Sequence, residues 1–197
     1  MKPHSESCER NREPILGVLR EYFAGVKSVL EIGSGSGQHA VYFGAALPHL
    51  TWQTSDLAAH HAGIRLWLAE AALPNVLAPA ALDVAARPWP VAPVEAVFSA
   101  NTLHIMAWER VADFFAGLRG VLAPGGLLVV YGPFNYGGRY TSDSNARFDE
   151  WLKGRDARSA IRDFEAVDAL AQKAGLRLLE DRALPANNRC LIWRRQD

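Results

Sequence analysis

The segment Glu31-Ile32-Gly33-Ser34-Gly35-Ser36-Gly37 constrains the fold more than any other part of the chain. It follows a β-branched apolar run, Val26 to Ile32, that reads as a buried strand. It precedes His39 to Leu47, which has helical spacing and is stopped by Pro48. Alternate glycines between a strand and a helix let the backbone turn tightly and approach a ligand without Cβ atoms in the way. A dinucleotide-binding turn needs glycine at the first, third and sixth positions of the loop. Gln38 occupies the sixth, so that match fails and an NAD-linked oxidoreductase is disfavoured. A purely structural turn is the alternative.

The same alternation continues. Asn11 to Phe23 reads as a helix, with Pro14 near its first turn, and residues 1–10 as a loose polar segment. Strands are expected at Leu50 to Thr54, ending at Asp56, at Ala80 to Leu82, ending at Asp83, and at Val94 to Ser99. Helices are expected at Ala58 to Ala72 and at Trp108 to Leu122. After a Pro124-Gly125-Gly126 turn, Leu127 to Tyr131 forms a fully apolar strand. Strands alternating with helices predict an α/β fold whose parallel sheet is covered on both faces. Phe164 to Ala174 is a further helix, closed by Gly175. Leu176 to Leu184 and Arg189 to Trp193 flank the four-residue turn Pro185-Ala186-Asn187-Asn188, too short for a parallel crossover, so this pair is expected to be antiparallel.

The chain of 197 residues, 49% hydrophobic, suffices for one domain over 1–197, with an N-terminal segment and helix at 1–24 and an insert at 132–163. Lys plus Arg equals Asp plus Glu, 21 each, which disfavours a dedicated nucleic-acid binder. No apolar run approaches 18 residues and the charged first 25 residues do not suit a signal peptide, so no membrane association is expected. Two cysteines at opposite ends, Cys8 and Cys190, fit free thiols in a reducing cytoplasm, and no metal site is expected. His60 and His61 read as solvated surface.

Ligands in an open α/β sheet lie beyond the carboxyl ends of the strands, at the switch point between strands one and four. Asp56, with Leu57 beside it, can accept two ribose hydroxyls there, or serve as a helix cap. Asp83 can accept from an adenine amino group while the Val84 amide donates to the ring; the alternative is a turn aspartate. Asn101 and His104, after strand four, should face the reacting group. His104 has the reference pKa of a general base, about 6.5, or is a histidine bonded into the helix start. The insert carries aromatic residues and Arg-Asp pairs and reads as a lid over the reactive end.

An acidic residue two before Gly-x-Gly-x-Gly resembles motif I of class I methyltransferases. Glu9-Arg10-Asn11, Pro14-Ile15-Leu16, the glycine loop, Gly132-Pro133-Phe134, Ser144-Asn145, Arg155-Asp156, Ile161-Arg162-Asp163 and Pro185-Ala186-Asn187-Asn188 together resemble the methyltransferase-like 26 family. This resemblance spans about Ser7 to Trp193. It implies a Rossmann-like class I methyltransferase fold with strand order 3-2-1-4-5-7-6, strand seven antiparallel, and S-adenosyl-L-methionine as cofactor. The expected cofactor contacts are Glu31, Gly33, Ser34, Gly35, Gly37, Gln38, Asp56, Leu57, Asp83, Val84 and Asn101. Asn101 and His104 are the expected catalytic pair. Asn11, Tyr140, Asn145, Arg162, Asn187 and Asn188 are expected to shape the acceptor pocket, with arginine suiting a small anionic metabolite. Ala157 and Ala160 depart from the family's expected proline and glycine. A module that binds the cofactor without catalysis, serving a regulatory or scaffold role, is the alternative.

Overall fold

The computed structural model describes residues 2–196. Its centre is a seven-stranded sheet of β1 (Ser28–Ile32), β2 (Thr51–Asp56), β3 (Val76–Ala81), β4 (Val94–Ala100), β5 (Leu122–Gly132), β6 (Leu176–Leu184) and β7 (Asn188–Arg195). The spatial order is 3-2-1-4-5-7-6. The first five strands are parallel, and β7 runs antiparallel to both β5 and β6. The expected order and the one reversed strand are therefore present. The hairpin turn places Ala186 and Asn187 at φ 60° and 57°, the geometry that matches strand twist in a two-residue hairpin.

Consecutive residues of each buried strand face opposite layers, because side chains alternate along a strand. Val29 and Phe98 join Leu19, Phe43 and Trp52 on one face, beneath α1 (Glu6–Tyr22), α2 (Gln38–Ala46) and α3 (His61–Ala71). Leu30 and Val97 join Phe114, Phe115, Val167 and Trp193 on the other, beneath α4 (Trp108–Val121) and α6 (Phe164–Lys173). Each fully buried large side chain contributes about 1.5–3 kcal/mol, so neither layer is dispensable. On α4, Gly117 sits where a Cβ would lie 2.0 Å from Trp89, so only glycine permits that contact.

Four local expectations are corrected. The first helix begins at Glu6, five residues before Asn11, and Pro14 lies in its third turn. The early turns are held by partners distant in sequence: Ser5 N–H donates to Gln38 Oε1 at 2.6 Å, and Gln38 Nε2 donates to the Ser5 carbonyl. β3 starts at Val76 instead of Ala80. It is an edge strand, and its register with β2 slips between Gln53 and Ser55, which accommodates Pro79. Pro124-Gly125-Gly126 lies inside β5, at a register jump from Val94↔Leu122 to Ala96↔Leu127. Finally, the insert is not loop alone. It holds α5 (Asp143–Arg155), capped by Ser142, and a short parallel pairing of Phe134–Asn135 with Arg162–Asp163. The buried face of α5 is Asn145, Asp149 and Leu152, with a single apolar member, so its fully buried positions carry little hydrophobic pattern.

Candidate active site

At the carboxyl end of β1 the glycine loop folds under β2. The amides of Gly33 and Ser34 donate to the Ser55 carbonyl, at 3.1 and 2.9 Å. Gly33 has φ 78°, and a Cβ there would come within 2.7 Å of Thr102 Oγ1, so the loop can pass the post-β4 segment only as glycine. Asp56, at the end of β2, clamps the loop: its Oδ2 accepts from the Gly35 amide at 2.8 Å. Its Oδ1 accepts from the Leu57 amide at 2.7 Å and faces His60 Nδ1 at 2.6 Å. His61 is buried, with Nε2 3.0 Å from the Asp56 carbonyl oxygen. Both histidines thus touch Asp56, but His60 stays exposed as expected, and only the reading of His61 as solvated surface is corrected.

A cavity of about 560 Å³ opens over this loop. Gly33, Ser34, Gly35, Asp56, Leu57, Asp83, Val84 and Asn101 border it, eight of the eleven expected cofactor residues. Glu31, Gly37 and Gln38 do not. Glu31 is 2% exposed and lies beneath the loop, accepting from Ser34 Oγ at 2.8 Å and Trp52 Nε1 at 3.2 Å. Burial pushes its carboxyl up to about 7, against those two hydrogen bonds. Gly37 is the left-handed N-cap of α2, packed against Ile64, and Gln38 holds the N-terminal segment. These three support the loop from behind.

A second cavity, of about 850 Å³, adjoins the first; Ser7, Asn101 and Ile105 border both. Asn101 has φ 56°, fixed by its amide donating to the Tyr131 carbonyl at 2.9 Å. Asn11, His104, Asn145 and Asn188 border the second cavity as expected. Tyr140, Arg162 and Asn187 do not. Tyr140 is exposed and donates to Asp149 Oδ2 at 2.7 Å. Arg162 turns inward: Nε donates to the Leu103 carbonyl, and Nη2 to the carbonyls of Met106 and Arg158. Its guanidinium therefore bolts the insert to the post-β4 segment instead of facing a ligand. Asn187 contributes its carbonyl, which accepts from Asn145 Nδ2 at 3.2 Å.

His104 is 6% exposed. Among the described residues its ring makes no hydrogen bond, although its backbone carbonyl accepts from the Ala160 amide. Phe148 meets the ring edge-on, with centroids 5.4 Å apart. Burial, with a smaller contribution from the Arg162 charge, pushes its pKa down to about 4, so the ring is neutral at pH 7.

The sequence reading missed Ser5, Ser7 and Cys8, which roof the first cavity from α1 and its cap. It also missed Tyr131, Phe148 and Trp151 in the second. Phe148, Trp151 and Leu152 recur at i, i+3 and i+4, a helical signal inside a segment otherwise read as loop. Among the described residues no group of three or more His, Cys, Asp or Glu side chains could hold a metal ion.

The first cavity fits S-adenosyl-L-methionine: a glycine cradle stands beside carboxylates at two successive strand ends, and apolar Leu57, Leu82 and Val84 flank them. The architecture is the class I methyltransferase fold. An O-methyltransferase family protein from Burkholderia thailandensis superposes with a TM-score of 0.85 at 19% identity, covering 98% of this chain and 58% of that one. Human N-acetylserotonin methyltransferase, solved in complex with S-adenosylmethionine, matches with a TM-score of 0.81 at 15% identity, covering 98% and 53%. The S-adenosylmethionine-dependent methyltransferase SibL matches at 0.81 with 22% identity, covering 97% and 56%. The chain thus spans little more than half the length of these structures. Over residues 2–195 it belongs to the family described as "Protein of unknown function (DUF938)".

Proposed function

We propose that this chain is an S-adenosyl-L-methionine-dependent methyltransferase acting on a small molecule. One observation carries the reading: a nucleoside-sized cavity at the glycine loop meets a second cavity at Asn101, beyond the carboxyl ends of β1 and β4. A silent cofactor-binding module needs only the first. The bound cofactor supplies an activated sulfonium methyl group.

The protein's own part is alignment and exclusion of water. The glycine loop, Asp56 and Asp83 hold the nucleoside end, while Asn101 and His104 face the acceptor. Ser5, Ser7 and Cys8 close the roof, and the 132–163 insert walls the acceptor side. An anionic acceptor, expected from Arg162, loses that support, because the guanidinium is occupied by three backbone carbonyls. The free thiols Cys8 and Cys190 support a reducing, cytoplasmic setting. The motifs shared with the methyltransferase-like 26 family support membership of that group.

The test is incubation of the purified chain and methyl-labelled cofactor with metabolite extracts. Label in the small-molecule fraction is expected; label confined to macromolecules contradicts the reading.

A further inference from the structure

Resting on the methyl-transfer reading, the second cavity also defines the chemistry of its acceptor. Arg10 is the one charged side chain bordering it among the described residues, and it is exposed and paired with Glu6 at 3.1 Å. The other contacts are amides, prolines, small polar groups and aromatic faces, with Phe148 and Trp151 stacked at 5.7 Å and 18°. Such a wall accepts a flat, uncharged ring and gives a carboxylate or phosphate no buried cation.

The proton's fate is decided around His104. A histidine that stores a proton is normally oriented and stabilised by a carboxylate on its other nitrogen. Here no hydrogen-bond partner exists for either nitrogen among the described residues. From the segment before α6, the charge acting on the ring is the Arg162 cation, which opposes a second positive charge. From α5, Asp149 is occupied by Tyr140, Lys153 and the Ile161 amide. From β5, Tyr131 borders the same cavity, and from α1, Arg10. Burial, with the Arg162 charge beside it, holds the His104 ring in its neutral form at pH 7. It can accept a hydrogen bond, but it cannot retain a proton taken from a weakly acidic alcohol.

We propose that the acceptor is an uncharged planar molecule bearing a phenol-type hydroxyl, whose own acidity supplies the nucleophile while His104 accepts its hydrogen bond. The hydroxyl proton leaves to solvent water. A lone pair on the phenolate oxygen forms the new oxygen–carbon bond as the carbon–sulfur bond breaks, and the released pair leaves sulfur as a neutral thioether.

The experiment uses the intact chain with S-adenosyl-L-methionine and three probes of similar size and falling acidity: 4-nitrophenol, phenol and benzyl alcohol. Transfer is expected to fall at least tenfold from 4-nitrophenol to phenol at pH 7 and to be absent for benzyl alcohol. The pH midpoint should follow each acceptor's own ionisation. His104→Gln, which alters the contact to the acceptor hydroxyl, should lower 4-nitrophenol turnover but leave its pH midpoint in place. Independently of turnover, the His104 imidazole proton resonance should report a neutral ring from pH 6 to 9 when 4-nitrophenol is bound with adenosylhomocysteine. The proposal is overturned by benzyl alcohol turnover within tenfold of 4-nitrophenol. It is equally overturned by a pH midpoint common to all acceptors and lost in His104→Gln, by an imidazolium in the bound state, or by a cofactor-binding protein that methylates no phenol. Failure to bind the cofactor contradicts the methyl-transfer reading instead.

Discussion

Single residues at this site act mainly by holding other groups in place. Asp56 fixes Gly35, Leu57 and His60 with one carboxylate, at the border of the first cavity. Replacing it by Asn keeps the size but removes the charge. Hydrogen bonds to charged groups are worth about 1.5–3 kcal/mol, so Asp56→Asn should weaken cofactor binding roughly tenfold or more. Unchanged affinity in a folded variant, measured by calorimetry, removes Asp56 from the site. Glu31 makes a prediction about stability. Its folded pKa, about 7, stands above the usual carboxyl value of 4.5, so its contribution is present below pH 4.5 and lost as pH rises through 7. Wild type should therefore lose about 3 kcal/mol relative to Glu31→Gln between pH 4.5 and 8. Urea midpoints check this, and a difference between the two proteins that does not change with pH contradicts it. Asp56 and Asp83 were legible in the sequence because they end strands after a glycine loop. The direction of Arg162 was not, since carbonyls at 103, 106 and 158 come together only in the folded chain.

Among the elements, α1 and α5 carry what the sequence concealed. The first turns of α1 are polar, and their order depends on Gln38, 33 residues away from Ser5. Gln38 Nε2 also donates to Glu9 Oε1 at 3.3 Å. Gln38→Ala should raise amide exchange at residues 5–9 at least tenfold, since each lost hydrogen bond is worth about 1 kcal/mol and the segment opens locally. Because Ser5, Ser7 and Cys8 roof the first cavity, cofactor affinity should fall severalfold with little change in melting temperature. Unaltered exchange at those amides contradicts the latch. The helix α5 escaped because its inward face is Asn145, Asp149 and Leu152, held by hydrogen bonds more than by apolar burial. The order of the sheet, in contrast, was legible: β1, β4 and β5 are apolar runs after turn signals, and the short Pro185–Asn188 connection allows only an antiparallel return.

At the scale of the whole molecule, two apolar layers hold a sheet whose carboxyl edge is open. The two cavities lie beyond the carboxyl ends of β1 and β4; the N-terminal helix borders both, and the insert borders the second. Helices, strands and their order position the glycine loop; the roof and the acceptor wall come from segments with weak local patterns. The central claim is that the first cavity holds a nucleoside sulfonium, and calorimetric titration of the purified chain with S-adenosyl-L-methionine and adenosylhomocysteine tests it directly. Saturable binding of both, at one site per chain and weakened about tenfold or more in Asp56→Asn, is the predicted result. No heat with either compound from a properly folded protein would contradict it.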